Sequence, residues 1–354
     1  MIDIPKISIV TPSFNQGEFL EECIDSVLGQ NYPNLEYIIM DGGSTDGSVE
    51  IIRKYKKYLT YWQSQPDGGQ YNAINEGFTK TTGEIMAWLN SDDMYHHHAF
   101  FKMAYLFDKY EGLLWVTGRH TLWDKAGKCS HIEKNLLTFS RSQYLQKNYC
   151  SPCIQQESTF WRRYLWETAG GTLRTDLEYA GDLELWTRFF RFAPLYTIDT
   201  LIGGYRKHGN QKANLFMDRY IEEAEKVLDD EINLYNQGKF ATIFPMQDSV
   251  PLDLDELNTY IDQVYASTKY EVFKLSDNST QVVDYLLKQL IDAIGECERW
   301  QRKGQELEKR LESLLVIDYL RKQLIDIIRE NELKQGKIQE LEGILESSSL
   351  KDKQ

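Results

Sequence analysis

The sequence predicts an α/β fold: a mostly parallel sheet with flanking helices, followed by a C-terminal helical, coiled-coil region. Three observations carry this. Short apolar runs alternate with amphipathic segments as far as about residue 204. The polar motifs follow directly on the ends of those apolar runs. From about residue 281 the pattern changes to apolar steps of three and four with charged residues between them. Strands that alternate with helices are joined by crossovers and therefore lie parallel. In open sheets of this kind, ligands bind at the carboxyl ends of the strands.

The elements follow in order. Residues 7–10 form a buried apolar strand. Phe19, Leu20, Cys23, Ile24, Val27 and Leu28 recur at helical spacing and predict a helix over 18–28. Asn31-Tyr-Pro-Asn34 is a turn, and 36–40 is a second strand. A glycine-rich loop, 41–47, leads into a helix from Ser48 through Tyr55. A further strand, 84–89, ends in Asn90-Ser-Asp-Asp93. Residues 215–235 read as an amphipathic helix, 238–255 with Pro245 and Pro251 as a linker, and 253–266 as another helix. The chain thus divides into 1–215, an α/β domain; 216–280, a helical extension and linker; and 281–354, repeated amphipathic helices.

The repeat is explicit. Val283-Asp-Tyr-Leu286 returns as Ile317-Asp-Tyr-Leu320, and Lys288-Gln-Leu-Ile-Asp292 returns 34 residues later as Lys322-Gln-Leu-Ile-Asp326. Tetratricopeptide repeats share that period, but their small-residue pattern and proline are missing. Val283, Leu287, Leu290, Ile294 and Cys297 instead follow coiled-coil spacing. A period one short of five heptads shifts the register between copies. The expected partner is a second copy of the chain, a homo-oligomer built through these C-terminal helices.

Composition narrows the function. The 354 residues are 42% hydrophobic and 27% charged, as in a globular protein, with a formal charge of −14. That sign opposes phosphate backbones, so no nucleic-acid partner is expected. No run approaches the roughly 20 apolar residues of a membrane span. The first residues lack the features of a signal peptide. A cytoplasmic location follows as the expectation, with peripheral association at the inner face of the membrane compatible with it. Five cysteines are odd in number and sparse, which excludes a disulfide scaffold. Cys150-Ser-Pro-Cys153 is a single C-x-x-C without a second pair and reads as plain thiols.

The chemistry lies in the first section. Asp92 and Asp93 project from a strand end, where adjacent carboxylates repel unless a cation or hydrogen bonds relieve them. A hard divalent ion shared with substrate phosphates, Mg²⁺ or Mn²⁺, fits that demand; the plain alternative is a solvated turn capping a helix that begins near Tyr95. Asp41 opens a glycine-rich loop and suits a base imide or ribose hydroxyl, or simply a turn in which Thr45 or Asp46 caps the next helix. Asp182 stands at a helix start, where the dipole favours the anion, as either a cap or a general base. His208 lies in a glycine-flanked loop, as a metal or phosphate ligand or an exposed loop residue. His96-His97-His98, on consecutive helical positions, would point in different directions and not form a metal site.

Five pieces, in order, resemble glycosyltransferase family 2, whose members have the Rossmann-like GT-A fold. They are Ile7-Ser-Ile-Val-Thr-Pro-Ser-Phe-Asn15, Ser26-Val-Leu-Gly-Gln-Asn-Tyr-Pro33, Met40-Asp-Gly-Gly-Ser-Thr-Asp-Gly47, Gly83-Glu84 with Leu89-Asn-Ser-Asp-Asp93, and Gly181-Asp182 with Leu185-Trp186. The resemblance spans about residues 5–215 and is to members of bacterial polysaccharide and O-antigen biosynthesis. It implies an inverting, metal-dependent transfer from a nucleoside-diphosphate sugar, a UDP-sugar first among donors, to a glycan or lipid-linked glycan acceptor. It implies that Pro12, Phe14 and Asn15 line the nucleotide pocket and that Asp41 binds base or ribose. Asp67, Gly69 and Asn72 would lie along the donor. Asn90, Ser91 and Asp92 would contact its ribose or diphosphate, and Asp92, Asp93 and His208 would hold Mn²⁺ or Mg²⁺. Asp182 would be the catalytic base. Residues 155–171 are expected to face the acceptor, their aromatics either stacking on a sugar ring or simply belonging to the core.

Four departures from the family pattern stand out: Asn90 for the first Asp of D-x-D, Gly42 for a second Asp, Gly181 before Asp182 where Glu is frequent, and Ile74 where a basic residue often precedes Asn75. Two rival functions compete. One is a degenerate transferase domain acting as a scaffold through its coiled coil. The other is a nucleotidyltransferase, disfavoured because Thr11-Pro-Ser-Phe-Asn15 lacks a Gly-rich basic phosphate loop.

Overall fold

The structure, a computed structural model, describes residues 4–149, 153–209, 211–247 and 249–267. The repeat over 281–354, its coiled-coil pairing, and the cysteines Cys150 and Cys297 lie outside the described residues. The elements in chain order are β1 Ile7–Ser13, α1 Leu20–Leu28, β2 Leu35–Asp41, α2 Ser48–Tyr55, β3 Tyr61–Ser64, α3 Gln70–Thr79 and β4 Ile85–Trp88. Then come β5 Met94–Tyr95, α4 Ala99–Lys109, β6 Trp115–Arg119, β7 Thr121–Trp123, β8 Cys129–Ile132, α5 Arg141–Leu145, β9 Thr159–Arg162 and α6 Arg163–Thr168. The last are α7 Gly181–Phe189, β10 Tyr196–Leu201, β11 Gly203–Arg206, α8 Lys212–Leu215, α9 Met217–Asn236 and α10 Leu254–Ser267.

Seven strands form the main sheet in the order β10-β6-β9-β4-β1-β2-β3. The parallel pairs β1–β2, β1–β4, β2–β3 and β6–β10 agree with the expected crossovers. β9 runs antiparallel between β4 and β6. This makes the sheet mostly, not wholly, parallel. Strand β1 is buried along its whole length. That is the signature of a central strand covered on both faces.

Pro12 sits inside β1 without breaking the sheet, and the reason shapes the site. Val10 accepts from Leu89 N on the β4 side, and Ser13 accepts from Gly42 N on the β2 side. Alternation turns Pro12 toward β4, whose pairing has already ended at Val10–Trp88. The missing N–H therefore falls where no strand remains to need it. Past that point β1 stays paired with β2 alone, as far as Ser13.

A second, four-stranded sheet, β5-β11-β7-β8, lies outside the sequence-based expectation. Its strands are two to four residues long, too short for a periodic signal. It corrects two readings. The helix expected near Tyr95 begins at Ala99, because Met94 and Tyr95 pair with Gly204 and Gly203. His96-His97-His98 occupy the intervening turn and not a helix, with His98 at φ +58. His96 is structural: its Nε2 lies 2.9 Å from Thr121 Oγ1, and burial and Lys102 pull its pKa down to about 3.

The core is aromatic. Trp88, Trp115, Trp161 and Trp186 are all buried. The rings of Trp88 and Trp186 stack with centroids 5.9 Å apart, and those of Trp115 and Trp186 stack with centroids 5.7 Å apart. Phe160, Trp161 and Trp166 belong to this core, so the aromatics of 155–171 do not offer a sugar-stacking face; Tyr164 alone of them is exposed. Helices α9 and α10 pack on α7 and α4. Among the described residues, no helix is long and apolar enough to cross a membrane.

Candidate active site

The loops after β1, β2, β3 and β4, the start of α7 and the end of β11 carry the residues singled out from the sequence. After β1, Phe14 is 62% exposed, as an aromatic waiting for a partner would be. Asn15 adopts φ +51, which asparagine tolerates better than most residues. It ties two loops together: its Oδ1 accepts from Thr45 N at 2.9 Å, and its N donates to Ser44 Oγ at 2.7 Å. In the same loop Asp46 Oδ1 accepts from Ser48 N at 3.1 Å, as a cap at the start of α2 would.

Asp41 is buried, and its carboxylate organises its own loop. Oδ2 accepts from Gly43 N, Ser44 N and Ser64 Oγ, and Oδ1 accepts from Ser44 Oγ at 2.5 Å. Three of these bonds fall on Oδ2 and one on Oδ1, so the carboxylate forms the turn while Oδ1 keeps room to accept a further bond. Gly42 has a specific reason to be glycine. A Cβ there would stand 3.1 Å from Asp67 Oδ2 and 3.3 Å from Phe14 Cδ2. Asp67 and Phe14 converge over this residue, and a side chain at 42 would push them apart.

Asp67 also accepts from Gly69 N at 2.8 Å, and Asn72 Nδ2 donates to Gly68 O at 3.0 Å. Gly68 at φ +77 and Gly69 at φ +116 make the turn that starts α3. The N-terminal end of α3 then meets the loop after β4, where Gln70 Nε2 donates to Asn90 Oδ1 at 2.8 Å. That end of a helix favours negative charge. Asn90 Nδ2 lies 3.4 Å from both Asp93 Oδ2 and Gln156 Oε1. An aspartate at 90 would place a third carboxylate against Asp93 with no donor between them, which accounts for the asparagine.

The two aspartates part ways. Asp93 is turned inward, 1% exposed, and its Oδ1 accepts from Arg206 N at 2.8 Å. Burial and the neighbouring Asp92 hold its pKa well above the usual carboxylate range. This corrects the expectation that both project outward. Asp92 instead meets His208, with Oδ2 and Nε2 3.0 Å apart. His208 is itself buried and packs on Phe19, so it is not an exposed loop residue. Among the described residues, no three His, Cys, Asp or Glu side chains form a ready-made metal cage. Ser91 is buried beside them.

Asp182 opens α7 one residue after Gly181. A Cβ at Gly181 would lie 2.5 Å from Tyr71 Cζ, and Gly181 N donates to Tyr71 Oη at 2.8 Å. Glycine is thus required there by the tyrosine of α3. Glu223 of α9 holds the preceding loop by accepting from the backbone N–H groups of Glu178, Tyr179 and Ala180 at 2.8–2.9 Å. The extension after residue 215 therefore shapes the site. Burial pushes the Asp182 carboxyl up to about 6, while the bond from Leu183 N opposes it. The helix start favours the anion, as the sequence predicts, but desolvation is the larger effect.

Sequence reasoning did not single out Tyr71 or Glu223; it met Gln70 and Trp186 only as ends of motifs and Arg206 only as a neighbour of His208. Trp186 lies one turn after Asp182 and stacks on Trp88, two residues before Asn90. One ring pair thus couples the two halves of the site. Glu157 was seen only within a stretch. It is 4% exposed, and burial with the charges of Asp182 and Asp92 raises it to about 7.

Residues 8–168 match the family model described as Glycosyl transferase family 2. An uncharacterized glycosyltransferase of Mycobacterium tuberculosis is 38% identical over 96 residues, which are 27% of this chain and 37% of that protein. The match thus spans little more than a third of that relative. An uncharacterized glycosyltransferase of Haemophilus influenzae is 24% identical over 294 residues, 79% of this chain and 89% of that one. Among solved structures, S. aureus TarS 1–349 in complex with UDP-GlcNAc superposes with a TM-score of 0.52 at 16% identity, covering 94% of this chain and 92% of that one. At that identity the likeness is one of fold.

Proposed function

We propose that this chain, which carries a family 2 glycosyltransferase domain over residues 8–168, moves a sugar from a nucleoside-diphosphate sugar to an acceptor hydroxyl with inversion. The observation that carries the reading is the coupling of Asp182 to the loop at Asn90–Asp93 through the Trp186–Trp88 stack. A partly desolvated carboxyl that titrates at about 6 and a donor-binding loop are useful to transfer only when held in fixed relation. The exposed Phe14, with Asp67 converging on it over Gly42, makes a platform for the base. Asn72 and Gly69 lie further along the same rim. The UDP-GlcNAc bound to TarS supports a UDP-sugar as the first donor to test.

A carboxylate oxygen and an imidazole nitrogen 3.0 Å apart are donors a divalent cation would accept, with the donor diphosphate supplying further oxygens. Asp92 and His208 would hold Mn²⁺ or Mg²⁺ there, and the ion would supply positive charge to the departing diphosphate. Asp93 acts beneath them, fixing the loop through Arg206 N. The N-terminal end of α3 adds its dipole to the same region. Asp182, as the carboxylate, takes the proton of the acceptor hydroxyl. That oxygen forms its bond to the anomeric carbon while the bond to the diphosphate oxygen breaks on the opposite face. The nucleoside diphosphate leaves with the electron pair, and the anomeric centre inverts.

The acceptor is a growing glycan or lipid-linked glycan of surface polysaccharide, and the place of work is the inner face of the membrane. Self-association through 281–354 belongs to the same proposal. The test is a panel of UDP- and GDP-sugars with Mn²⁺, read first by melting shift and then by transfer. A donor that raises the melting temperature and is consumed by wild type but not by Asp182→Asn supports the reading. A chain that binds no sugar nucleotide refutes it and favours a scaffold role.

A further inference from the structure

The segment from Gln155 to Thr159 is fastened side chain by side chain, with one exception. Gln155 bonds Thr121 through both ends of its amide: Nε2 donates to Thr121 O at 2.7 Å, and Oε1 accepts from Thr121 N at 3.0 Å. Gln156 Nε2 donates to Trp88 O at 2.7 Å, directly beneath the loop at Asn90. Ser158 Oγ donates to Gly203 O at 2.6 Å, and Thr159 Oγ1 donates to Gln155 O at 2.7 Å. The backbone of Glu157 lies against β11 so closely that a Cβ at Gly203 would stand 2.1 Å from Glu157 O. Every neighbour is spent on the scaffold. Glu157 is buried, and its carboxyl meets its own backbone N–H and the Gln155 side chain, yet its Oε1 has no hydrogen-bond partner.

A buried, unmatched carboxyl oxygen is destabilising unless a ligand supplies donors. Glu157 lies within electrostatic reach of both Asp182 and Asp92, and its charge is felt in turn by Asp93 and Tyr205. In the transfer reading, on which this inference rests, the diphosphate lies at Asp92 and the attacking hydroxyl at Asp182. The sugar ring must lie between them. We propose that Glu157 is a donor-specificity residue, its carboxyl accepting hydrogen bonds from hydroxyl groups of the donor sugar. A site built around such a bond rejects sugars that lack the hydroxyl, because the polar group is then left buried and unmatched.

The test uses the full chain and calorimetry with Mn²⁺, UDP and a panel of UDP-hexoses and their single-deoxy analogues. Glu157→Gln keeps the shape and weakens acceptance. It should bind UDP within about twofold of wild type but lose about tenfold on the preferred UDP-sugar, with its ranking of sugars flattened. On wild type, one deoxy position should lose a similar factor, which makes the inference testable even if the variant is unstable. Unchanged sugar ranking in Glu157→Gln, or equal losses on UDP and UDP-sugar, overturns the assignment. If wild type binds neither UDP nor any UDP-sugar, the transfer reading itself has failed and takes this inference with it.

Discussion

Asp182 is kept charged near neutral pH against its surroundings, and that has a measurable consequence. Burial lifts its pKa from 3.8 to about 6. At about 1.4 kcal/mol per pH unit this displacement corresponds to about 3 kcal/mol, an upper bound because the side chain keeps some contact with solvent. The sign follows from proton binding. Between pH 4 and 6 the folded state holds the proton more tightly than the unfolded chain, so folding loses stability as pH rises through that window. Above about pH 6 the loss is complete, and below about pH 4 it is absent. Asparagine keeps the shape and the acceptor for Leu183 N, 2.8 Å away, without the charge. Asp182→Asn should therefore melt higher than wild type at pH 8, by up to roughly 5 °C for a chain of this size, and equal to it near pH 4. Transfer by wild type should fall tenfold per pH unit below about 6, and the variant should be inactive throughout. Scanning calorimetry of both proteins from pH 4 to 8 reads the difference directly. A gap that does not grow with pH, or an asparagine variant less stable at pH 8, would refute the claim that desolvation dominates at this residue.

Removal of divalent ions with EDTA should stop transfer, and Mn²⁺ or Mg²⁺ should restore it, with Asp92→Ala weakening both metal and donor binding in titrations; full activity in chelator would leave Asp92 and His208 as a structural pair. Trp186→Ala removes the ring stacked on Trp88 and Trp115 and should destabilise the fold by about 3–5 kcal/mol in denaturant titration. In the same variant kcat should fall more than UDP affinity, because Asp182 loses its fixed relation to the loop after β4. A chain ending near Asn278 should retain transfer and be monomeric by light scattering while the full chain is larger; identical masses would end the self-association proposal.

Much of this architecture was legible in the order of residues. The period of Leu20, Cys23, Ile24, Val27 and Leu28 set α1, and the apolar runs set β1, β2 and β4, because both are local patterns with one buried side. The site residues at strand ends were legible for the same reason: polar residues directly after a buried strand must lie at its edge. Other features depended on pairing across long separations. No local pattern announces that Met94 and Tyr95 will pair with Gly204 and Gly203, and that pairing displaced the helix to Ala99. Nor does the sequence separate Asp92 from Asp93. Adjacent and identical in type, they are distinguished by Arg206 and His208, more than a hundred residues away, one turning Asp93 inward and the other meeting Asp92. Gly42 and Gly181 looked like departures from a pattern until Asp67, Phe14 and Tyr71 supplied the space they leave free. The identity of α1, β1, β2 and β4 came from local pattern, which the chain carries by itself. The protonation of Asp182 and the unmatched oxygen of Glu157 came from desolvation, which exists only once distant segments exclude water together.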